Sequence, residues 1–237
     1  MRAGERISRA LGLGALTLLA VWGAAGPANA QETGGGAAAP QIFRTADRCM
    51  ACHNGMVSPG GEDVSIGFDW RASMMANSAR DPYWQAAVRR ETMDHPAASA
   101  AIQDECSKCH MPMARYQAHA AGGELGVFAH VPVAPGGPGP DGDGAGGTAT
   151  GGPAAPDARA TTLARDGVSC TICHQISSEG LGTEESFVGG FQVDTTTAWG
   201  GRTIYGPFAV DTGRVTVMRS ASSFEPREGS HIQSSEM

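Results

Sequence analysis

Three short stretches of identical pattern constrain this chain more than any other feature. Each reads Cys-x-x-Cys-His, at residues 49–53, 106–110 and 170–174, and together they contain all six cysteines of the 237 residues. Two cysteines at this spacing can each form a thioether with a vinyl group of one haem, and the adjacent histidine can then ligate the iron. The pattern predicts three covalently attached haem c groups. The predicted attachment residues are Cys49, Cys52, Cys106, Cys109, Cys170 and Cys173, and the predicted proximal ligands are His53, His110 and His174.

Zinc sites, disulfide bonds and a thioredoxin-like redox pair are alternative uses of these cysteines. Neither zinc nor a disulfide requires a histidine after every second cysteine, and a zinc site built from two such pairs would leave one pair over. A thioredoxin-like pair normally occurs once, between a strand and a helix of a βαβ unit, and the sequence indicates no such unit. The histidine follows in all three stretches. This regularity favours haem over the alternatives.

The first thirty residues have the pattern of a secretory signal peptide. Three arginines and an apolar run at residues 10–22 precede Ala28-Asn29-Ala30, which resembles a signal-peptidase site. The run is shorter than the roughly 20 apolar residues of a membrane span. A twin-arginine pair and a cysteine after the cleavage point are both missing. We therefore expect Sec-type export, cleavage after Ala30, a periplasmic or secreted protein and no membrane span after cleavage; an uncleaved anchor is the alternative.

Composition divides the chain into regions. These are the signal peptide 1–30, a flexible leader 31–41, a first haem-binding region 42–133 with two haems, a Gly/Pro/Ala-rich disordered insertion 134–160, and a third, incomplete haem region 161–237. Within the first region, Asp81-Pro82 predicts the start of a helix that reaches about Met93, because Asp is a favoured N-cap and Pro fits the first helical position.

The residues after the third stretch have a different pattern. Residues 187–193, 203–208 and 213–218 read as short strands. Aromatic residues make up only 6% of the chain, so there is little bulky apolar material for an ordinary core. We expect a mainly α fold with much irregular structure, a multihaem cytochrome c fold built around haems, with a small β-hairpin excursion near residues 187–218.

The charge balance bears on partners. The formal net charge is −7, and removal of residues 1–30 takes away three arginines and one glutamate and makes it −9. An acidic protein is a poor match for nucleic acid or anionic lipid and a better one for basic redox partner proteins. Acidity that only keeps an exported protein soluble is the alternative.

The sixth iron ligands have to come from elsewhere in the chain. Seven histidines are present, so four remain beyond the three proximal ones, and three irons need three of them. His119 and His130 are the first candidates, followed by His231 and then His95. Met75 is the runner-up, and it would give one haem a higher reduction potential. For Met74, Met75 and Trp84, packing against a macrocycle is favoured over ligation.

Several segments resemble the bacterial periplasmic multihaem cytochrome c family, which is related to the tetrahaem cytochromes of hydroxylamine oxidation. They are residues 70–82, the stretch His110-Met-Pro-Met, residues 166–176 and Tyr205-Gly-Pro-Phe. The resemblance implies electron transfer. It also implies that residues 230–237 precede a fourth haem-binding stretch in relatives, so that the chain is C-terminally truncated. Met218-Arg219 departs from the Met-His pair of relatives.

Two redox functions follow as expectations, and an extracellular binding or scaffold protein whose cysteines hold zinc is the non-redox alternative. The first is electron transfer through covalently bound, mostly bis-histidine haems, by a protein without chemistry of its own. The second is a fragment or subunit of a multihaem oxidoreductase that acts on a small nitrogen or sulfur compound at an open haem. The sequence offers no Cys-x-x-Cys-Lys variant and no acid–base cluster beside one of the three stretches, which favours the first function.

Overall fold

Apolar side chains from both halves of the chain meet in one core. The computed structural model describes residues 40–131 and 158–237. Ile42 and Phe43 pack there with Met113, Leu163 and Ile172, which come from regions that the sequence places on either side of the insertion. The predicted signal peptide, most of the leader and most of the insertion lie outside the described residues.

Residues 40–131 contain six helices. They are α1 Ala46–Met50, α2 Gly67–Ala72, α3 Met74–Asn77, α4 Pro82–Asp94, α5 Ser99–His110 and α6 Pro112–Ala120, with 3₁₀ turns at Pro96–Ala98 and Val127–Ala129. The predicted helix from Pro82 is confirmed as α4, and it ends one residue beyond Met93. Its start has the expected cap, because the Asp81 side chain accepts a hydrogen bond from the Tyr83 backbone N–H at 2.9 Å.

The second described range mixes helices with two short strands. Its elements are α7 Ala158–Arg165, α8 Cys170–Cys173, a helical turn at Ser186–Gly190, β1 Arg202–Gly206, α9 Thr212–Ser222, β2 Phe224–Glu228 and a 3₁₀ turn at Ser230–Gln233. Helix α7 includes residues 158–160, which were predicted to belong to the disordered insertion. The insertion is therefore shorter at this end than predicted. The described residues are thus mainly helical with much irregular structure, as predicted.

The predicted β-hairpin near residues 187–218 is wrong. Strand β1 pairs in parallel with β2, with Arg202 opposite Phe224, and helix α9 connects them. Residues 213–218 are helical because the Asp211 side chain caps α9 by accepting from the Arg214 N–H at 3.0 Å. Val215 and Met218 are three residues apart and lie half-buried on one side of α9. A segment as short as residues 213–218 does not distinguish this helical spacing from the alternation of a strand.

The structure therefore contains a strand–helix–strand unit, which the sequence did not indicate. Strand β1, helix α9 and strand β2 form it, and all six cysteines precede it in the chain. A Cys-x-x-Cys pair between strand and helix, as in thioredoxin-like proteins, is accordingly not found in this unit. Within residues 40–131 and 158–237, no helix has the length and apolar character needed to cross a membrane.

Candidate functional site

The second Cys-x-x-Cys-His stretch occupies the last turn of α5. Cys106 and Cys109 are three residues apart on this helix and therefore share one side of it, with Cys106 half-buried and Cys109 exposed. The Nδ1 atom of His110 lies 2.8 Å from the carbonyl oxygen of Ser78. A carbonyl oxygen can only accept, so Nδ1 carries the proton and Nε2 keeps the lone pair that a metal would need.

The His110 ring is held from two further directions. The Ser78 hydroxyl donates to the His110 carbonyl oxygen at 3.0 Å, so these two residues are joined twice. The buried indole of Trp84 stacks on the imidazole, with ring centroids 4.1 Å apart and planes 7° from parallel. Trp84 thus packs against the histidine of the second stretch, and its contact orients that ring.

The third stretch has the same arrangement with a different partner. Cys170 and Cys173 are the first and last residues of α8. The Nδ1–H of His174 donates to the Tyr205 carbonyl oxygen at 2.6 Å, and the Tyr205 N–H donates to the His174 carbonyl oxygen at 2.6 Å. Strand β1 therefore fixes both the backbone and the ring of His174, again with Nε2 as the nitrogen that bears a lone pair.

Gly167 allows the third stretch to pack against the support of the second. Its φ is +66°, and a Cβ atom there would lie 2.7 Å from the Ser78 hydroxyl oxygen and 2.8 Å from the Met75 carbonyl oxygen. The next residue, Val168, donates its N–H to the same Met75 carbonyl at 3.1 Å. A side chain at position 167 would push these segments apart, so glycine is required both by the backbone angle and by the close approach.

The first and third stretches line one cavity. Its volume is about 140 Å³, and its walls include Cys49 and His53 from the first stretch, Cys170, Cys173 and His174 from the third, and Ile66, Trp70 and Met75. Cys49 lies in α1, and His53 follows that helix and is half-buried. Among the residues that the structure describes, no carbonyl oxygen accepts from the His53 ring, so the first stretch lacks the support that His110 and His174 have.

The thiols of Cys49 and Cys170 lie within hydrogen-bonding reach of each other. This contact, together with burial, raises the pKa of Cys49 well above its ordinary value. Burial and the neighbouring Cys170 raise the pKa of Cys173 to about 11. All six cysteines are described, and each is a free thiol. The first and third stretches therefore approach each other at their first cysteines, although the second stretch separates them in the sequence.

Asp166 joins the two helices that carry these thiols. It precedes α8 and accepts the N–H of Ala46, the first residue of α1, at 2.8 Å. Burial raises the pKa of this carboxyl group above its ordinary range, and the Ala46 N–H only partly offsets that rise. Asp166 is therefore a half-buried acid close to both thiols, and its spacing from the cysteine motifs gave no signal of this role.

The imidazole of His119 contacts the carboxylate of Asp104. Its Nε2 lies 2.8 Å from Oδ1 of Asp104, and the same carboxylate accepts from the Arg115 guanidinium at 2.9 Å and the Leu125 N–H at 2.9 Å. Burial opposes ionisation of Asp104, but the Leu125, His119 and Arg115 donors outweigh it and hold the pKa of Asp104 below its usual range. In this arrangement the usual ligating nitrogen of His119 already has a partner.

The other candidate distal ligands occupy different settings. His130 is buried, its Nδ1 lies 3.0 Å from the Thr161 hydroxyl oxygen, and burial lowers its pKa. His231 places Nε2 2.9 Å from the Ile176 carbonyl oxygen, and its ring meets Tyr205 edge to face. His95 is exposed at the C-terminal end of α4. Met75 lines the cavity beside the first and third stretches. Ligation by these four residues and by His119 stays a prediction.

The residues of the stretches fit haem in their donor chemistry. Paired thiols three residues apart lie beside an imidazole whose Nδ1–H is held by a backbone carbonyl at His110 and His174, and this is the support that metal-bound histidines usually have. A cavity of about 140 Å³ is smaller than the roughly 300 Å³ or more of most cofactor sites. Part of the cavity wall is open to solvent, because the apolar side chains of Ile66 and Met75 are 52% and 58% exposed.

The described residues show no arrangement typical of a zinc site. Across residues 40–131 and 158–237, no group of three or more histidine, cysteine, aspartate or glutamate side chains is arranged to hold a metal ion. A structural zinc site needs four such ligands around one point. Each cysteine pair is instead followed by its own histidine, and the first cysteines of the three pairs belong to three different helices.

Sequence reasoning missed the supporting residues. Ser78 and Tyr205 act through backbone carbonyls, and Asp104 and Asp166 act across the fold, far from their partners in sequence. A backbone oxygen leaves no mark in the residue type, so the only signal for Ser78 and Tyr205 was that both lie in segments that carry the family resemblance. For Asp104, the only signal was an acid two residues before Cys106.

Comparison with known proteins gives no assignment. No family model, curated protein or solved structure matches this chain. The resemblance to multihaem cytochromes stays a prediction, and support for a function comes from the three stretches and their geometry.

Proposed function

We propose that this chain is a periplasmic multihaem c-type cytochrome of the bacterial multihaem family, and that it transfers electrons through three covalently attached haems. The observation that carries the proposal is the hydrogen bond from Nδ1 of His110 and of His174 to a backbone carbonyl, at 2.8 and 2.6 Å. In each case Nε2 keeps its lone pair, and the histidine directly follows a Cys-x-x-Cys pair in the chain. A histidine that served only packing would have no need of this repeated arrangement.

Each part of a stretch has a distinct task in the proposal. When bound, haem supplies a one-electron couple at each iron. The two cysteines would form the thioethers that hold the macrocycle to the chain, and the histidine would donate Nε2 to the metal. The carbonyl oxygens of Ser78 and Tyr205 fix the ring planes of His110 and His174 and make these imidazoles stronger donors.

The placement of the stretches supports short steps for the electron. Cys49 and Cys170 are within hydrogen-bonding reach and line one cavity with His53 and His174, so we propose that the first and third haems form an adjacent pair. The second stretch connects to them through Ser78, whose hydroxyl oxygen accepts the Val168 N–H at 3.3 Å and whose carbonyl holds His110.

The proposed partners are redox proteins, such as other cytochromes. The net charge of −7 for the whole chain, or −9 after signal cleavage, favours partners with a basic docking face and disfavours nucleic acid. Such steering weakens as salt rises, so exchange of electrons with a basic partner should slow at high ionic strength.

The test is the haem content of the exported chain. We expect an alkaline pyridine haemochrome spectrum and an intact mass that together give three haems on a chain beginning at Gln31. Replacing Cys106 and Cys109 by alanine should lower that number by one, and replacing the half-buried Ser58, outside the three stretches, by alanine should not lower it. A haem-free mass from cells competent for cytochrome c maturation would contradict the proposal.

A second candidate function is an oxidoreductase subunit with one open haem, acting on a small nitrogen or sulfur compound. The observation that favours it is the engagement of two candidate distal histidines: Nε2 of His119 is held by Asp104, and Nε2 of His231 is held by the Ile176 carbonyl. With these nitrogens occupied, fewer imidazoles remain for the sixth positions. Rapid binding of carbon monoxide or nitrite to the reduced protein would support this function, and no binding would support a closed electron carrier.

A further inference from the structure

Arg202 is a cation enclosed by the fold. It is the first residue of β1, and its side chain is 2% exposed. Its Nε donates to Oε1 of Gln175 at 2.9 Å, one terminal nitrogen donates to the Thr197 carbonyl at 2.9 Å, and the other donates to the Asp194 carbonyl. Every one of these acceptors is neutral.

The positive charge of Arg202 is therefore not cancelled by a direct ion pair. Among the described residues no carboxylate lies within ion-pair distance of its guanidinium. The nearby Asp194 is exposed, and its Oδ1 accepts from the backbone N–H groups of Thr196 and Thr197 at 2.7 and 3.0 Å, within its own turn. An arginine stays protonated in proteins, and burial of a charge without a paired acid costs stability. Such a cost calls for a function that uses the charge.

The charge lies next to the third stretch. Gln175, which accepts from Arg202, directly follows His174, and its Nε2 donates to the Ile42 and Thr171 carbonyls at 3.0 and 2.9 Å. Three residues after Arg202 on β1, Tyr205 accepts the Nδ1–H of His174. One strand thus brings a fixed hydrogen-bond acceptor to His174, the last residue of the stretch, and a fixed positive charge to Gln175, the residue directly after it.

We infer that Arg202 raises the reduction potential of the haem attached at Cys170 and Cys173. This inference rests on the proposed function. A buried positive charge favours the state that holds one more electron, and the low dielectric of the interior weakens that effect far less than water would. Reduction of the iron adds one electron and leaves the guanidinium protonated, so the interaction is stronger in the reduced protein. Arg202 acts on the potential and touches no reacting atom.

The experiment is a spectroelectrochemical titration of the purified, haem-loaded protein. We expect Arg202→Gln to lower the electron affinity of one haem about tenfold, which is about 59 mV for a one-electron couple, and to leave the other two nearly unchanged. Arg202→Lys, which keeps the charge, should lower it less. The control is Arg227→Gln on β2, because Arg227 is 62% exposed and pairs with Glu225 at the surface. It should shift none of the three potentials.

A second variant covers the case in which Arg202→Gln does not fold. Asp194→Asn removes a negative charge that acts on Arg202 and keeps the oxygen that its turn requires, so it should raise the potential of the same haem. Unchanged potentials in folded Arg202→Gln, or in Asp194→Asn where only that variant folds, would overturn the inference. A purely structural role would lower the melting temperature and move no potential. A preparation without haem would overturn the proposed function, whereas three haems with unmoved potentials would overturn the inference alone.

Discussion

The imidazole of His110 lies flat against the indole of Trp84, with ring centroids 4.1 Å apart. Trp84 is buried in the core, so its removal takes away both the stack and a large apolar contact. We expect Trp84→Ala to lower the free energy of unfolding by about 3–5 kcal/mol, measured by urea denaturation. Tyr83→Ala is the control, because Tyr83 is 83% exposed and should change stability by less than about 0.5 kcal/mol. Equal losses in the two variants would show that the stack contributes nothing.

Gly167 and Gly180 separate backbone strain from crowding. Both have a positive φ, but a Cβ at position 167 would meet the Met75 carbonyl at 2.8 Å, whereas a Cβ at position 180 would meet nothing within 4 Å. We expect Gly180→Ala to cost about 1 kcal/mol from the backbone alone and Gly167→Ala to cost at least about 2 kcal/mol, in thermal or urea unfolding. A cost at Gly167 no larger than that at Gly180 would mean that this packing is loose.

Asp104 predicts an acid-sensitive step in stability. Burial opposes its charge, but the Leu125, His119 and Arg115 donors lower its pKa overall. Its stabilising effect is therefore complete above its unfolded pKa of about 3.9 and is lost as the pH falls through the lower folded pKa. We expect Asp104→Asn to lower the free energy of unfolding at pH 7 by about 1–3 kcal/mol and to flatten its dependence below about pH 4.

The control for Asp104 is its neighbour Glu105. Glu105 pairs with Lys108 at 2.6 Å, but its side chain is 67% exposed. Glu105→Gln should change the free energy of unfolding at pH 7 by less than about 1 kcal/mol. If the two variants showed the same pH profile, the buried network would not be the source of the acid sensitivity.

Asp166 predicts a pH dependence of the opposite sign. Burial raises its pKa, so its contribution is present below the unfolded pKa of about 3.9 and is lost as the pH rises through the folded pKa. Asparagine can still accept the Ala46 N–H and carries no charge to bury. We therefore expect Asp166→Asn to be more stable than the parent at pH 7 and to match it at pH 3. Chemical denaturation at the two pH values checks this, and a loss at pH 7 would contradict it.

The distal ligands can be ranked by spin state. Because Nε2 of His119 is held by Asp104, we expect His119→Gln to leave the fraction of low-spin haem unchanged. His130 is buried with Nδ1 beside the Thr161 hydroxyl, and we expect His130→Gln to convert one of the three haems to high spin. Electron paramagnetic resonance measures both, with exposed His95→Gln as the control. A high-spin signal in the His119 variant alone would reverse the ranking.

Local signals in the sequence predicted local structure well. Asp81 and Pro82 define the start of α4 through a side-chain cap and a fixed φ, and both effects act within a few residues. The mainly helical character follows from the same kind of signal. The prediction of a hairpin is wrong because Val215 and Val217 alternate as in a strand, whereas the Asp211 side chain caps this segment as helix α9.

Long-range relationships were out of reach of the sequence. Strands β1 and β2 pair in parallel and are connected by a helix, so no turn sequence between them indicates the pairing. The approach of Cys49 to Cys170 depends on how α1 packs on α8, and the carbonyls of Ser78 and Tyr205 carry no residue-specific mark. The three stretches were evident from spacing alone, but what surrounds them had to come from the fold.

The position of β1 after the third stretch has a consequence for biogenesis. The chain is synthesised from its N-terminus, so Ser78 and Trp84 already exist when His110 emerges from the ribosome. The carbonyl partner of His174 lies in β1, and the pairing of β1 with β2 is complete only when Glu228 has been made. During synthesis the third histidine therefore emerges before its support, whereas the second emerges after it. If the proposed haems are attached as the chain emerges, the third stretch would receive its haem before its support has formed.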